Sequence, residues 1–234
     1  MNVLALCAHP DDVEFFCAGT LLKYKEAGHR IFIALTTSGN IGSNSIASRE
    51  EVAATREQEQ LAAAETLAAE VHFLRYDDQL LTDTPTVRRE ILNAIRWADP
   101  DVILTNYPGD NSTDHAVTSR IVGRVLLSCG SKLIPSDLPP LSKAPSVFYF
   151  DTVAGIGFEP EVYVDITAQM PSKLDMLRLH KSQFEWMREF GLEDLCDVCE
   201  TIARFRGLQT GKRYAEAFRM HRVSGFVADP RLLP

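Results

Sequence analysis

The chain has 234 residues, 45% of them hydrophobic and 24% charged, the composition of an ordinary globular protein rather than a disordered one. Its 24 lysines and arginines against 32 aspartates and glutamates give a formal charge of −8, which argues against a nucleic-acid surface built on a basic stripe. No apolar run reaches the roughly 18 residues of a membrane span, and Met1-Asn2-Val3-Leu4 lacks the basic flank of a signal peptide, so a cytoplasmic location is expected.

In chain order, Val3–Ala8 reads as a buried strand, followed by a helix over about Glu14–Glu26 that ends at Gly28. Arg30–Thr36 is a second strand, and a Gly/Ser/Asn-rich loop runs from Thr37 to Ala47. Ser48-Arg49-Glu50-Glu51 matches a capping box and opens an alanine-rich helix towards Leu67. Val71–Leu74 is a third strand. Thr84-Pro85 reads as an N-cap with proline in the first turn, and Val87, Ile91 and Ile95 give the following helix an apolar stripe. Val102–Thr105 is a fourth strand, and the helix after Asp114 carries Val117, Ile121 and Val125. The proline-rich stretch from Pro135 to Pro145 is an irregular connection. Val147–Phe150 and Val162–Ile166 read as further strands, and Met170 to Phe218 as mostly helical.

Strands alternating with helices imply βαβ units, hence an open, mostly parallel α/β sheet of Rossmann-like type with helices on both faces. One domain over 1–234 is expected, with a core over about 1–130 and a C-terminal elaboration over about 146–234. Five scattered cysteines favour reduced thiols over a disulfide framework. Cys196 and Cys199 lack a second pair to complete a zinc site and share one helix face, so a core role is expected.

Ligands of open α/β sheets gather outside the carboxyl ends of the strands. After strand one, a nucleotide-binding protein would carry a glycine-rich turn. This chain carries Ala8-His9-Pro10-Asp11-Asp12, which suits a cation better than a phosphate. The loop after strand four, Asn106 to His115, brings a second histidine to a helix start. Taken singly, the first motif reads as a turn with a capping aspartate and the second as a helix N-terminus. Strand one neighbours strand four at the switch point of such sheets, so the two loops are expected to face each other. His9, Asp12 and His115 then offer two imidazoles and a carboxylate, the ligand count of a catalytic zinc site with one open position. Asp11 is left free as a base. Iron or manganese suits the same donors.

Ala8-His9-Pro10-Asp11-Asp12, followed by Glu14 and Gly19-Thr20, resembles the signature of the PIG-L/LmbE zinc-dependent de-N-acetylase family. The similarity extends over most of the chain. Thr37-Ser38-Gly39 with Arg56 and Glu59 resembles a second block, and Asp110 with Asp114-His115 a third. Val164-Asp165-Ile166 with Lys173, His180-Lys181-Ser182-Gln183 and Tyr214-Ala215-Glu216-Ala217-Phe218 resemble C-terminal blocks. The resemblance implies one zinc per chain on His9, Asp12 and His115, with Asp11 as general base and Asp114 as a carboxylate beside the metal. It implies Arg56, Asp110 and Ser112 on the substrate side. The activity implied is removal of an acetyl group from an N-acetylated amino sugar or related small amide; members of the family often form homo-oligomers, though this sequence carries no interface signature. One departure stands out: Ser112 occupies the place of a family histidine that stabilises the oxyanion, a loss worth roughly 10²–10³ in turnover. Ser112, Tyr107, Arg56 or a water is expected to substitute. The alternatives are a zinc-dependent hydratase and a catalytically weak metal- or ligand-binding protein. His180 shares a helical face with Leu177, Phe184 and Met187 and reads as a core histidine.

Overall fold

A computed structural model describes residues 1–46, 48–191 and 194–223. Seven strands form one sheet in the order β3-β2-β1-β4-β5-β7-β6. These are β1 (Asn2–Cys7), β2 (Arg30–Thr37), β3 (Glu70–Tyr76), β4 (Val102–Thr105), β5 (Ser146–Phe150), β6 (Val162–Asp165) and β7 (Ala215–Met220). The first five run parallel, and β7 is antiparallel to both β5 and β6. Strand β1 pairs with both β2 and β4, as the switch-point expectation requires.

The apolar run Val3–Cys7 is covered on both sides. Val3, Ala5 and Cys7 face one core, with α2 (Ala18–Glu26), α6 (Met170–Leu177) and α8 (Leu195–Thr210). Leu4 and Leu6 face the other, with α4 (Pro85–Ala98) and α5 (Thr113–Cys129). A two-period strand with apolar residues on both faces is what a helix-covered parallel sheet demands. The expected caps are made: the Ser48 hydroxyl accepts from the Glu51 amide at 3.2 Å at the start of α3 (Arg49–Leu67), and Thr84 accepts from Val87 at 3.2 Å. Cys196 and Cys199 are buried on α8, as expected of core thiols.

One expectation needs correction. The helix expected over Glu14–Glu26 is two: α1 (Asp12–Phe16) and α2, broken at Cys17 with φ −139°. The break leaves the first amides of α2 without helical partners. The carboxylate of Glu216 takes them, accepting from Gly19 at 2.9 Å and Thr20 at 2.8 Å while pairing with buried Lys173 at 2.6 Å. A Cβ at Gly19 would stand 2.7 Å from Ile166, so a side chain there would separate the three elements. The segment from Met170 to Phe218 is mostly helical, as expected, and ends in a strand. After α6, α7 (Lys181–Glu189) and α8, the chain returns as β7 between β5 and β6. Its alternation around Glu216 carries the one carboxylate that α2 needs. The loop ending at Ala47 has that last residue outside the described set, as are residues 224–234 of the expected elaboration.

Candidate metal centre

The ends of four neighbouring strands, β3, β2, β1 and β4, assemble one polar site. Strand β1 supplies His9, Asp11 and Asp12; β2 leads to Gly39 and Asn40; β3 leads to Asp78; β4 leads to Asn106, Asp110, Asp114 and His115. Asn40 ties the β2 and β3 loops together, donating to Asp77 at 2.6 Å and accepting from the Asp78 amide at 3.1 Å.

His9 Nδ1 lies 3.1 Å from His115 Nε2, and Asp12 Oδ1 lies 3.2 Å from that same Nε2. Each ring is held from behind. His9 Nε2 faces Asp78 at 3.1 Å and Asp114 at 3.3 Å, and His115 Nδ1 faces Asp110 at 3.1 Å. A ring nitrogen that donates to a carboxylate leaves its other nitrogen bare and aimed forward, the arrangement of metal-ligating histidines. Asp12 is divided the same way. Its Oδ2 accepts from the amides of Ala8 at 3.1 Å and His9 at 3.0 Å and from Asn106 at 3.1 Å, which leaves Oδ1 for the shared point.

The donor set fits a divalent ion. The three ligand atoms lie within 4.8 Å of one another. For metal–ligand bonds of 2.0–2.1 Å, neighbouring ligands of a tetrahedral site stand roughly 3.3 Å apart, close to the separations here. His9, Asp78 and Asp114 also lie within 4.8 Å of one another. Asp114 Oδ2 accepts from the Gln79 amide at 2.7 Å, and Asp78 and Asp114 both serve His9 as hydrogen-bond acceptors, so the set with two imidazoles is the better candidate.

Electrostatics follow this layout. Burial opposes charge on His9, yet its bonds to Asp114 and Asp78 push it up to about 9; burial likewise opposes His115, which Asp12 and Asp110 push up to about 10. Burial works to raise Asp12, but His115 and His9 hold its carboxyl well below the usual carboxylate range. Asp11 differs from its neighbour. Burial raises its carboxyl above the ordinary value despite the Arg56 guanidinium.

Asp11 sits at φ +102°, a conformation costly for a side-chain-bearing residue. It is pinned from two sides. Arg56, 2% exposed on α3, donates from Nη2 to the Pro10 carbonyl and to Asp11 Oδ2 at 3.1 Å, and from Nη1 to the Gly39 carbonyl at 2.9 Å. The Asp11 amide donates to Gln60 at 3.2 Å; Gln60 donates to Glu14 at 3.0 Å; the other Glu14 oxygen meets His180 Nε2 at 3.1 Å. Gly39, at φ +61°, has no room for a side chain, since a Cβ would fall 2.1 Å from Arg56 Nη1. His180 is buried in the core, and its hydrogen bonds connect it to the Asp11 backbone.

Of the residues singled out in the sequence, His9, Asp11, Asp12, Asp114 and His115 converge. Asp110 contacts His115 and the Ser112 amide (2.9 Å), and the Ser112 hydroxyl caps α5 at the His115 amide (3.5 Å). Arg56 reaches Asp11 and two backbone carbonyls. Tyr107 packs edge-on against Phe158 and Tyr149, with ring centroids 5.1 and 6.1 Å apart. Sequence reasoning missed Asp78, Asn106 and Gln60 as parts of the site. Asp78 and Asn106 had one signal, their position just past strand ends. A cavity of about 460 Å³ opens on the centre, with Asp11, Asp12 and His115 in its wall.

Comparison with known proteins finds relatives along most of the chain. The PIG-L family model, described as GlcNAc-PI de-N-acetylase, matches residues 4–126. A diacetylchitobiose deacetylase of Thermococcus kodakarensis is 30% identical over 233 residues, covering 93% of this chain and 82% of that one. The solved N,N'-diacetylchitobiose deacetylase of Pyrococcus horikoshii superposes with a TM-score of 0.81 at 26% identity, over 94% of this chain and 83% of the other. The 4-carboxy-2-hydroxymuconate hydratase GalB of Pseudomonas putida superposes with a TM-score of 0.82 at 20% identity over 97% of this chain and the whole of that one, a likeness of fold alone.

Proposed function

This chain belongs to the PIG-L (GlcNAc-PI de-N-acetylase) family, and we propose that it removes the acetyl group from an N-acetylated amino sugar or a related small amide, using a divalent ion, zinc in this reading, on His9, Asp12 and His115. The observation that carries the proposal is the convergence of two imidazoles and one carboxylate, each with its far atom tied down, beside a second carboxylate, Asp11, that Arg56 holds by one oxygen only. When bound, the ion supplies a Lewis acid for the amide carbonyl and lowers the pKa of water from 15.7 towards about 7.

The protein's own groups do the rest. Asp11 accepts a proton from the attacking water and returns it to the leaving nitrogen as the C–N bond breaks, releasing acetate and an amine. A carboxyl raised by burial is better able to hold that proton between the two transfers. Arg56 and Gln60 keep Asp11 in its strained backbone conformation, so its oxygens stay aimed while its charge changes. Asp110 and Asp114 are assigned to fixing the histidine rings rather than to contacting substrate. Ser112 caps α5 at the His115 amide, an arrangement that does not replace the family's oxyanion imidazole.

Hydration is not favoured: the 30%-identical relative is a named deacetylase, and the hydratase shares only the fold. Among the described residues no helix is long and apolar enough to cross a membrane. Acetate release from a panel of N-acetylated sugars, measured with zinc-loaded protein, tests the proposal. Turnover that tracks zinc content is expected. A chain that holds one zinc and releases no acetate from any of them would leave a metal-binding protein instead.

A further inference from the structure

The cavity beside Asp11 has an unexpected lining for a carbohydrate site. Phe15 and Phe16 of α1, Leu177 of α6, Met187 of α7, and Leu195 and Val198 of α8 form most of its wall. Its polar side chains are the reacting groups Asp11, Asp12 and His115, plus Gln183, whose amide nitrogen is already donated to the Gly42 carbonyl at 3.1 Å. A sugar ring buried here would leave several hydroxyls without partners, and each unmet hydroxyl costs as much as a lost hydrogen bond or more. The apolar surface also continues. A second cavity of about 230 Å³ shares Val198 and is lined by Ala154, Ile202 and Phe205, the last 52% exposed. The two cavities meet at Val198, and Leu195, Val198, Ile202 and Phe205, at helical spacing on α8, mark an apolar track leading away from the candidate metal centre, with Thr201 beside it.

We propose that the substrate carries an apolar group on its amide-bearing portion, seated in this track while the amide lies at Asp11. The inference rests on the amide-hydrolase reading and narrows it to N-acylated amines with an alkyl or aryl substituent. That group belongs either to an acyl chain longer than acetyl or to the amine side. The bond chemistry is unchanged: water adds to the acyl carbon, the C–N bond breaks, and a carboxylic acid and an amine leave. The track accounts for the C-terminal helices, which supply its far wall and none of the metal ligands.

Two substrate series separate the sources. One lengthens the acyl group of glucosamine from N-acetyl to N-butanoyl to N-octanoyl. The other keeps N-acetyl and lengthens the glycoside from methyl to octyl. Each methylene buried in an apolar wall is worth about fourfold, so kcat/KM should rise about 15-fold for the first two methylenes in one series. Calorimetric titration with octanoate and with octyl glucosaminide reads the same preference without turnover. Val198→Trp, which narrows the junction of the cavities, should cut the octyl-to-short ratio at least tenfold; Leu195→Asn is the second variant should that one fail to fold. Tight binding of an octyl product by a chain that hydrolyses nothing would uphold the apolar site and sink the hydrolase reading. Turnover of plain N-acetylglucosamine with a flat response in both series would sink the apolar site alone. The same flat response together with a dimer that dissociates on Phe205→Lys would make the track a subunit contact, again against the proposal.

Discussion

Replacing Asp110 by alanine separates the metal-holding role of that residue from a substrate-contacting one. Its Oδ2 is 3.1 Å from His115 Nδ1, and its Oδ1 accepts the Ser112 amide at 2.9 Å. Removing the carboxylate frees the ring to rotate and lowers the basicity of its metal-facing nitrogen. Loss of such a partner weakens metal binding 10–100-fold, or about 1.4–2.7 kcal/mol. The lost Ser112 hydrogen bond adds about 1 kcal/mol of folding instability, visible in urea unfolding of the metal-free chain. Competition against a fluorescent zinc chelator measures the first effect separately. Asp110→Asn, which keeps an acceptor oxygen for Nδ1–H, should fall between wild type and alanine. Ser112→Ala removes the helix cap but no ring partner, so its zinc affinity should stay within about twofold of wild type while its folding stability falls by about 1 kcal/mol. An Asp110→Ala chain that binds zinc as tightly as wild type would refute the assignment, and so would an equal loss in Ser112→Ala.

Three further outcomes are expected. Asp11→Asn should keep its zinc and lose most of its turnover, and a fully active, zinc-loaded Asn variant would remove Asp11 as the base. Gly39→Ala should displace the Arg56 guanidinium, which its Cβ would approach to 2.1 Å, and lower kcat by about tenfold or more with zinc content unchanged; normal kcat would show that Arg56 does not hold the base. Zinc uptake should strengthen with pH, because His9 and His115 are both raised in the metal-free chain, to about 9 and about 10. Binding should therefore release protons near neutral pH, and fewer as the pH rises through about 9 to 10. Isothermal titration in buffers of different ionisation enthalpy counts those protons, and pH-independent uptake would contradict the pairing.

Much of this was readable from residues alone, for identifiable reasons. Apolar runs at Val3–Cys7 and Val102–Thr105 separated by helix-period patterns require a parallel sheet, and that sheet puts strands one and four side by side, so His9 and His115 meet although they are 106 positions apart. Asp78, Asn106 and Gln60 escaped because each is a single polar residue whose role exists only once its strand end or helix face is next to another. The partnership of Glu216 with Gly19 and Thr20 spans 197 positions, and no local pattern announces it. The same contact explains the one misread helix, since Glu216 on β7 receives the α2 amides that the break at Cys17 exposes. The apolar track was hidden for a related reason, since α1, α6, α7 and α8 each contribute residues that look like ordinary core until the helices are assembled around a cavity.

Zinc X-ray absorption on the loaded protein near neutral pH tests the centre most directly. Two imidazoles and additional oxygen ligands at about 2.0–2.1 Å are predicted, with no sulfur. Fewer than two imidazoles, or a thiolate at about 2.3 Å, would contradict a site built by His9, Asp12 and His115.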